Sequence, residues 1–201
     1  MLVVGLTGGI GCGKSEVRRR LTAAGIDAID ADTLAKVLLD TNELIMRAIK
    51  EEFGEQMYDP NGRLQRKALA AIVFNDRKKL ETLNGIVHPR VIATVERMLE
   101  GWQEEGKTIA VVEAALHYEV NWHEAMDVMV VVSASMENRI KRIMQRDGVD
   151  EAGATKRMGN QLPLEEKVKR ADYVVENNGD LKQLDLAVQK LVAWLHEKAA
   201  Q

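Results

Sequence analysis

The sequence contains a single cysteine, Cys12, among 201 residues. One thiol excludes an internal disulfide framework and a cysteine-based zinc cluster, and it fits a reducing compartment. Aromatic residues are scarce at 4%, so the interior has to be filled by Leu, Ile, Val, Ala and nine Met. No apolar run approaches the ~18–20 residues that a membrane-spanning helix needs, so no membrane partner is expected. The apolar start, Met1 to Leu6, is short, has no basic flank and breaks into Gly8-Gly9, so it does not read as a signal peptide. The cytoplasm is therefore the expected location. A basic excess is missing too: 28 Lys and Arg stand against 31 Asp and Glu, for a net charge of −3. That balance removes the electrostatic case for nucleic acid. A small anionic substrate remains compatible, because a few placed arginines can hold it.

What is present is the balance of one folded domain, with 46% hydrophobic and 29% charged residues. Leu2-Val3-Val4-Gly5-Leu6 is an apolar run without helical period, which reads as a strand buried on both faces. A glycine-rich turn follows, then a helix from about Lys14 to Ala24, with Gly25 at its C′ position. Ile26 to Ile29 reads as a second strand that ends in Asp30-Ala31-Asp32, completing a βαβ unit. From about Thr33 to Glu105 the pattern is mostly helical. Within it, Tyr58-Asp59-Pro60-Asn61-Gly62 reads as a turn, and His88-Pro89 as a helix start with Pro at the first helical position. Strands resume at Thr108–Val112, Val128–Val132 and Tyr173–Val175, and Leu181–Lys198 closes as an amphipathic helix. Alternating strands and helices imply an α/β fold with a parallel sheet covered on both faces. The long helical stretch reads as an inserted substrate-binding subdomain.

Gly8-Gly9-Ile10-Gly11-Cys12-Gly13-Lys14-Ser15 satisfies G-x-x-x-x-G-K-[ST]. Glycines allow positive φ and a close approach to phosphates, so that successive N–H groups converge on one concavity. The helix that follows adds its N–H groups and the positive end of its dipole. Lys14 reaches the β- and γ-phosphates, and the Ser15 hydroxyl is a magnesium ligand. By composition alone the pattern arises in roughly one chain of this length per hundred, and a preceding strand and following helix restrict it further. ATP and Mg2+ are the ligands it predicts.

The carboxylates leave alternatives open. Asp30 and Asp32 sit at the carboxyl end of the second strand, where an extended segment would point both the same way and one would accept a proton from an attacking hydroxyl. Asp32 suits equally well as the N-cap of a helix that starts at Thr33. Glu113, ending the third strand, fits either a Walker-B-like position or a capping or salt-bridge role. Asp59-Pro60-Asn61-Gly62 matches D-x-x-G formally, but no strand precedes it and no N-K-x-D occurs, so it reads as a turn. Arg139, Arg142 and Arg146 share one helix face, with Arg157 beyond the Asp147-Gly148 turn; they read either as a lid over phosphates or as solvated surface. The four histidines read as satisfied or exposed. His117-Tyr118-Glu119 lacks the P-C-x-x-C half of a zinc deaminase signature.

Together these residues resemble the dephospho-coenzyme A kinase family, nearly end to end. Leu6 to Ser15 is similar to the family's L-T-G-G-I-G-S-G-K-S, and Ile29-Asp30-Ala31-Asp32 to its I-D-A-D, whose second Asp is taken as the catalytic base. Leu64-Gln65-Arg66-Lys67-Ala68-Leu69 and His88-Pro89 match signatures of the helical coenzyme A region. Ala115 to Glu119 occupies the P-L-L-F-E segment. Arg142, Arg146-Asp147, Arg157 and Gln161 resemble the lid, and Asp172 with Asn177-Asn178-Gly179 the stretch near the adenine.

The resemblance implies a three-layer P-loop kinase fold with a five-stranded parallel sheet. Its nucleotide-binding core would span about 1–35 and 106–201, its helical coenzyme A region about 36–105 and its lid about 136–165. It implies transfer of the γ-phosphate of ATP to the ribose 3′-hydroxyl of dephospho-CoA; the alternative is another small-molecule kinase of this class acting on a nucleoside, nucleotide or sugar. Asp32, Lys14, Arg139 and Arg142 would be catalytic. Gly9, Gly11, Cys12, Gly13, Lys14, Ser15, Glu16, Arg142 and Asn177 would hold ATP, with Ser15 on the metal. Asp32, His88, Leu116, Glu119, Arg157 and Gln161 would face the acceptor. Three residues depart from the pattern: Glu16 for the usual Thr, Ala115 for proline and His117 for an apolar residue.

Overall fold

The computed structural model describes residues 1–73, 75–159 and 161–201. They fall into two compact units, Met1–Asp30 with Trp102–Gln201, and Ala31–Gly101.

The first unit opens with β1 (Leu2–Gly8), α1 (Lys14–Ala23) and β2 (Asp27–Asp30). Helix α1 buries Val17 and Leu21, one turn apart, and stops where Gly25 adopts φ +87°, a backbone form that glycine takes without strain.

The second unit is helical: α2 (Ala31–Thr41), α3 (Glu43–Phe53), α4 (Arg66–Val73) and α5 (Arg77–Glu104), whose last three residues count with the first unit. Helix α3 begins where the Asn42 side chain accepts the Ile45 N–H, and it buries Ile45, Ile49 and Phe53 at i, i+4 and i+8. The segment at 58–64 is a turn: Asp59 Oδ1 accepts the Asn61 and Arg63 N–H groups, and Tyr58 bridges to Leu64. The Tyr58 hydroxyl donates to Leu39 O at 2.8 Å, and burial pushes it up to about 12. One expectation fails here. Pro89 lies inside α5 and does not begin a helix. An interior proline costs about 3 kcal/mol. Val87, Val91 and Val95 are buried on one stripe through the same turns, and burying a Val yields roughly 1.5–3 kcal/mol each, enough to carry the helix past it.

The chain then returns to the first unit with β3 (Ile109–Glu113), β4 (Val128–Ser133), α6 (Met136–Asp147), α7 (Glu151–Met158), α8 (Leu164–Lys169), β5 (Tyr173–Glu176) and α9 (Leu181–Ala199). The five strands form one parallel sheet in the order β2-β3-β1-β4-β5. Every residue of β3 is buried, and since neighbouring residues face opposite ways, both faces of the sheet are covered. Helix α9, started by an Asp180–Gln183 capping box, buries Leu184, Val188, Leu191 and Leu195 in the same core as Val17 and Leu21. The chain builds the sheet on one side of β1 and then crosses to the other. That reversal places the glycine-rich loop, which follows β1, at the switch point where α/β sheets hold their ligands.

Candidate active site

The loop between β1 and α1 needs glycine at two places. Gly11 and Gly13 adopt φ +81° and +89°. A Cβ on Gly11 would stand 2.8 Å from the Arg139 carbonyl oxygen, and one on Gly13 would run into Asn177 Nδ2. The outside of the loop is held through its carbonyls. Ile10 O accepts from Arg139 Nε at 3.1 Å, Gly11 O from Arg142 Nη1 at 3.3 Å, and Cys12 O from Asn177 Nδ2 at 2.8 Å. The peptide bonds of the described residues are trans, so each N–H one residue on points opposite to its clamped carbonyl. The Cys12 N–H closes a turn on Gly9 O at 3.1 Å. The Gly11 and Gly13 N–H groups are left directed to the concave side, beside the N-terminus of α1. Cys12 is 0% exposed, and burial pushes its thiol up, against the pull of Arg139 and Lys14.

Lys14 donates to Gly8 O at 3.2 Å, folded back over the loop. The Ser15 hydroxyl donates to Glu113 Oε1 at 3.0 Å. The other Glu113 oxygen takes Arg18 Nε at 2.5 Å, and Arg18 Nη2 reaches Asp30 Oδ2 at 3.3 Å. Sheet register dictates this cluster. Asp30 pairs with Glu113 across β2 and β3, so two carboxylates meet at the carboxyl edge, and an arginine one turn beyond Ser15 bridges them. Glu113 therefore makes a salt bridge and holds the hydroxyl of the loop serine as well.

Asp32 has neither of the two backbone settings expected for it. Helix α2 begins at Ala31, so Asp32 lies inside the first turn; it is neither in an extended segment sharing a face with Asp30 nor the N-cap of a helix starting at Thr33. It belongs to the second unit, as do His88, lowered by burial, and the α5 turn that carries it.

Glu16, the departure from the family pattern beside the loop, is directed back along α1. Its carboxylate pairs with Arg19 and Arg20, and Arg20 also bonds Asp185 on α9 at 2.6 Å. The Glu16 bond comes first among the causes that raise the Arg20 guanidinium. Two guanidiniums thus offset the carboxylate that this departure brings beside the loop.

The arginine helix divides in two. Arg139, 6% exposed, and Arg142 lie on the loop, and Arg142 Nη2 also donates to Asn177 O at 2.9 Å. Arg146 and Arg157 are drawn to Asp147 instead, and Arg146 foremost holds that carboxyl below its usual range. Gln161 meets the loop from a further side, its Oε1 accepting the Ile10 N–H at 2.8 Å. Glu119 accepts the Leu162 N–H at 2.9 Å and pairs with Lys167 at 2.7 Å. Leu116 lies in the same turn as Glu119, at 115–120.

His117 is neither exposed nor fully satisfied. It is 0% exposed, its ring lies 5.2 Å from that of Trp122, and Nε2 bonds Val112 O at 2.8 Å while Nδ1 has no partner among the described residues. Burial holds it down to about 4, so it is neutral near pH 7. Two residues of this region escaped the sequence reading, Arg18 and Lys167. The only signal for Arg18 was its position one helical turn after the loop serine; Lys167 gave none.

Comparison with known proteins places this geometry among relatives. A model of the dephospho-CoA kinase family matches residues 2–183. A dephospho-CoA kinase of Syntrophotalea carbinolica is 38% identical over 195 residues, which cover 97% of this chain and 92% of that one. Among solved structures, a Thermus thermophilus protein is 33% identical with a TM-score of 0.77, over 96% of this chain and 97% of its own. The dephospho-CoA kinase from Campylobacter jejuni is 28% identical with a TM-score of 0.74, over 98% of each chain.

Proposed function

The chain belongs to the dephospho-CoA kinase family, and from that premise we propose that the loop from Gly8 to Ser15 presents the γ-phosphoryl group of ATP to the ribose 3′-hydroxyl of dephospho-CoA. The hydroxyl oxygen forms a bond to the γ-phosphorus as the bond to the β–γ bridging oxygen breaks, giving coenzyme A and ADP. Asp32 accepts the hydroxyl proton. Such a base contributes about 10²–10⁴-fold.

The chain's own part is largely electrostatic, as phosphoryl transfer requires. Gly11 and Gly13 donate N–H groups to the phosphates, aided by the N-terminus of α1. Lys14, which now rests on Gly8 O, follows charge onto the transferring group. Arg139 and Arg142 keep the loop's carbonyls turned outward. Ser15 fits magnesium by its chemistry: its O–H donates a hydrogen bond to Glu113, so oxygen lone pairs remain for a hard cation. When bound, Mg2+ neutralises charge on the β- and γ-phosphates. Glu16 serves only through its backbone. Asn177 lies at the adenine side. His88, Leu116, Glu119, Arg157 and Gln161 serve the acceptor and the closing of the site. The helical region of about 36–105 takes the coenzyme A portion, and about 136–165 acts as the lid. ATP as donor and a buried lone thiol favour the cytoplasm.

The observation that carries this reading is the loop held by its carbonyls, with glycine donors facing inward beside a lysine and a serine paired to a strand-end carboxylate. The test offers γ-labelled ATP to the protein with dephospho-CoA, nucleosides, nucleotides and sugars in competition. Label should enter dephospho-CoA at the 3′ position; label confined to another acceptor refutes the assignment.

A further inference from the structure

Among the described residues Lys167 is the largest fully buried side chain, at 0% exposure, although its type is a charged one. Its ammonium donates to Ala115 O at 2.8 Å and pairs with Glu119 Oε1 at 2.7 Å. It therefore closes the two ends of the Ala115–Glu119 turn onto α8. Ala115 O also accepts from the hydroxyl of Thr7, at 3.4 Å, just ahead of the loop. Glu119 Oε1 accepts the Leu162 N–H, and the neighbouring Gln161 side chain holds the Ile10 N–H. Ile10 is the residue whose carbonyl Arg139 clamps. An unbroken set of contacts thus runs from Lys167 through Glu119 and Leu162–Gln161 to the outer turn of the loop.

Stability alone gives little reason for such a lysine. Taking an ion pair out of water costs about as much as the pair returns, and an apolar residue of similar volume often serves as well. Placement is a better reason, since a short ammonium–carboxylate bond fixes two segments more narrowly than aliphatic contact does. We propose that Lys167 is a positioning residue for ATP: through Glu119 it fixes Leu162 and Gln161, so that Gln161 holds Ile10 and the loop keeps its Gly11 and Gly13 donors directed inward. The proposal rests on the loop being the ATP site and deepens that reading.

The test is calorimetric affinity for MgATP at 25 °C, alongside Tm, for Lys167→Met, Glu119→Gln and the double variant. Each single variant should weaken MgATP about tenfold. The double variant should be no weaker than the worse single one, because both residues act through one contact set. It should also recover Tm, since it leaves no unpaired buried charge, while affinity stays low. Independent, multiplying effects overturn the proposal, as does a loss of Tm with wild-type affinity. If the single variants do not fold, the double variant decides: wild-type affinity in it overturns the inference. Wild-type protein that binds MgATP but does not phosphorylate dephospho-CoA sinks the assignment of the acceptor and leaves this test intact.

Discussion

Replacing Glu113 with Gln tests the junction between sheet and loop. The Glu113 side chain is 5% exposed and spends one oxygen on Ser15 and the other on Arg18. Glutamine keeps an acceptor for Ser15 but turns an NH2 group toward Arg18 Nε, so two donors face each other. A charge-assisted hydrogen bond contributes about 1.5–3 kcal/mol. Arg18 keeps Asp30 at 3.3 Å, which favours the lower part of that range. For a chain of this size each kcal/mol moves Tm by about 2–4 °C, so a loss of about 1.5–2 kcal/mol should lower the melt by roughly 3–8 °C. A second effect is separate. The Ser15 proton would then go to a neutral acceptor, a bond about half as strong, and its lone pairs would be less firmly aimed at the cation. The Mg2+ concentration for half-maximal activity should rise severalfold. Thermal melts and a magnesium titration read the two effects apart. An unchanged Tm refutes the stabilising pair, and an unchanged magnesium curve refutes the orienting role.

Further outcomes follow from the same geometry. Lys14→Ala removes a charge used mainly on the transferring phosphoryl group; turnover should drop roughly 100–1,000-fold with Tm near wild type, as preorganised donors of this kind do. Asp32→Asn should lower kcat about 10²–10⁴-fold and leave calorimetric ATP affinity within twofold; unaltered kcat would assign Asp32 to the helix alone. His117 has a folded value of about 4, below its ordinary 6.5, so the unfolded chain binds the extra proton between those two values. Its contribution is present above about pH 6.5 and is lost as pH falls toward 4, by up to about 3 kcal/mol. His117→Leu should flatten the fall in Tm between pH 7 and 5; an unchanged slope would place the titration elsewhere.

The loop was legible because eight consecutive residues encode one local conformation, and glycine at 11 and 13 has steric reasons that spacing reveals. The strands were legible because a parallel sheet buried on both faces demands unbroken apolar runs such as Ile109–Val112. The pairing of Glu16 with Arg19 and Arg20 is also open to reading, since three- and four-residue spacing puts them on one helix face. What stayed hidden depends on distance along the chain. Arg18 meets Glu113 across 95 residues and Lys167 meets Ala115 across 52, and by composition either would be solvated surface. Pro89 misled for the opposite reason. The local rule for proline is sound, but a valine stripe extending through it decided the matter. Asp32 was misplaced by two residues of helix, which changed its backbone from extended to helical while keeping it just beyond the strand.

The most direct measurement is a calorimetric titration of wild-type protein with MgATP, repeated with magnesium chelated and with Lys14→Ala. One nucleotide per chain, bound in the presence of magnesium and weakened by each change, is the outcome that a carbonyl-clamped ring of amides closed by a lysine requires. Absence of heat at high protein concentration, or binding indifferent to Lys14, would contradict it.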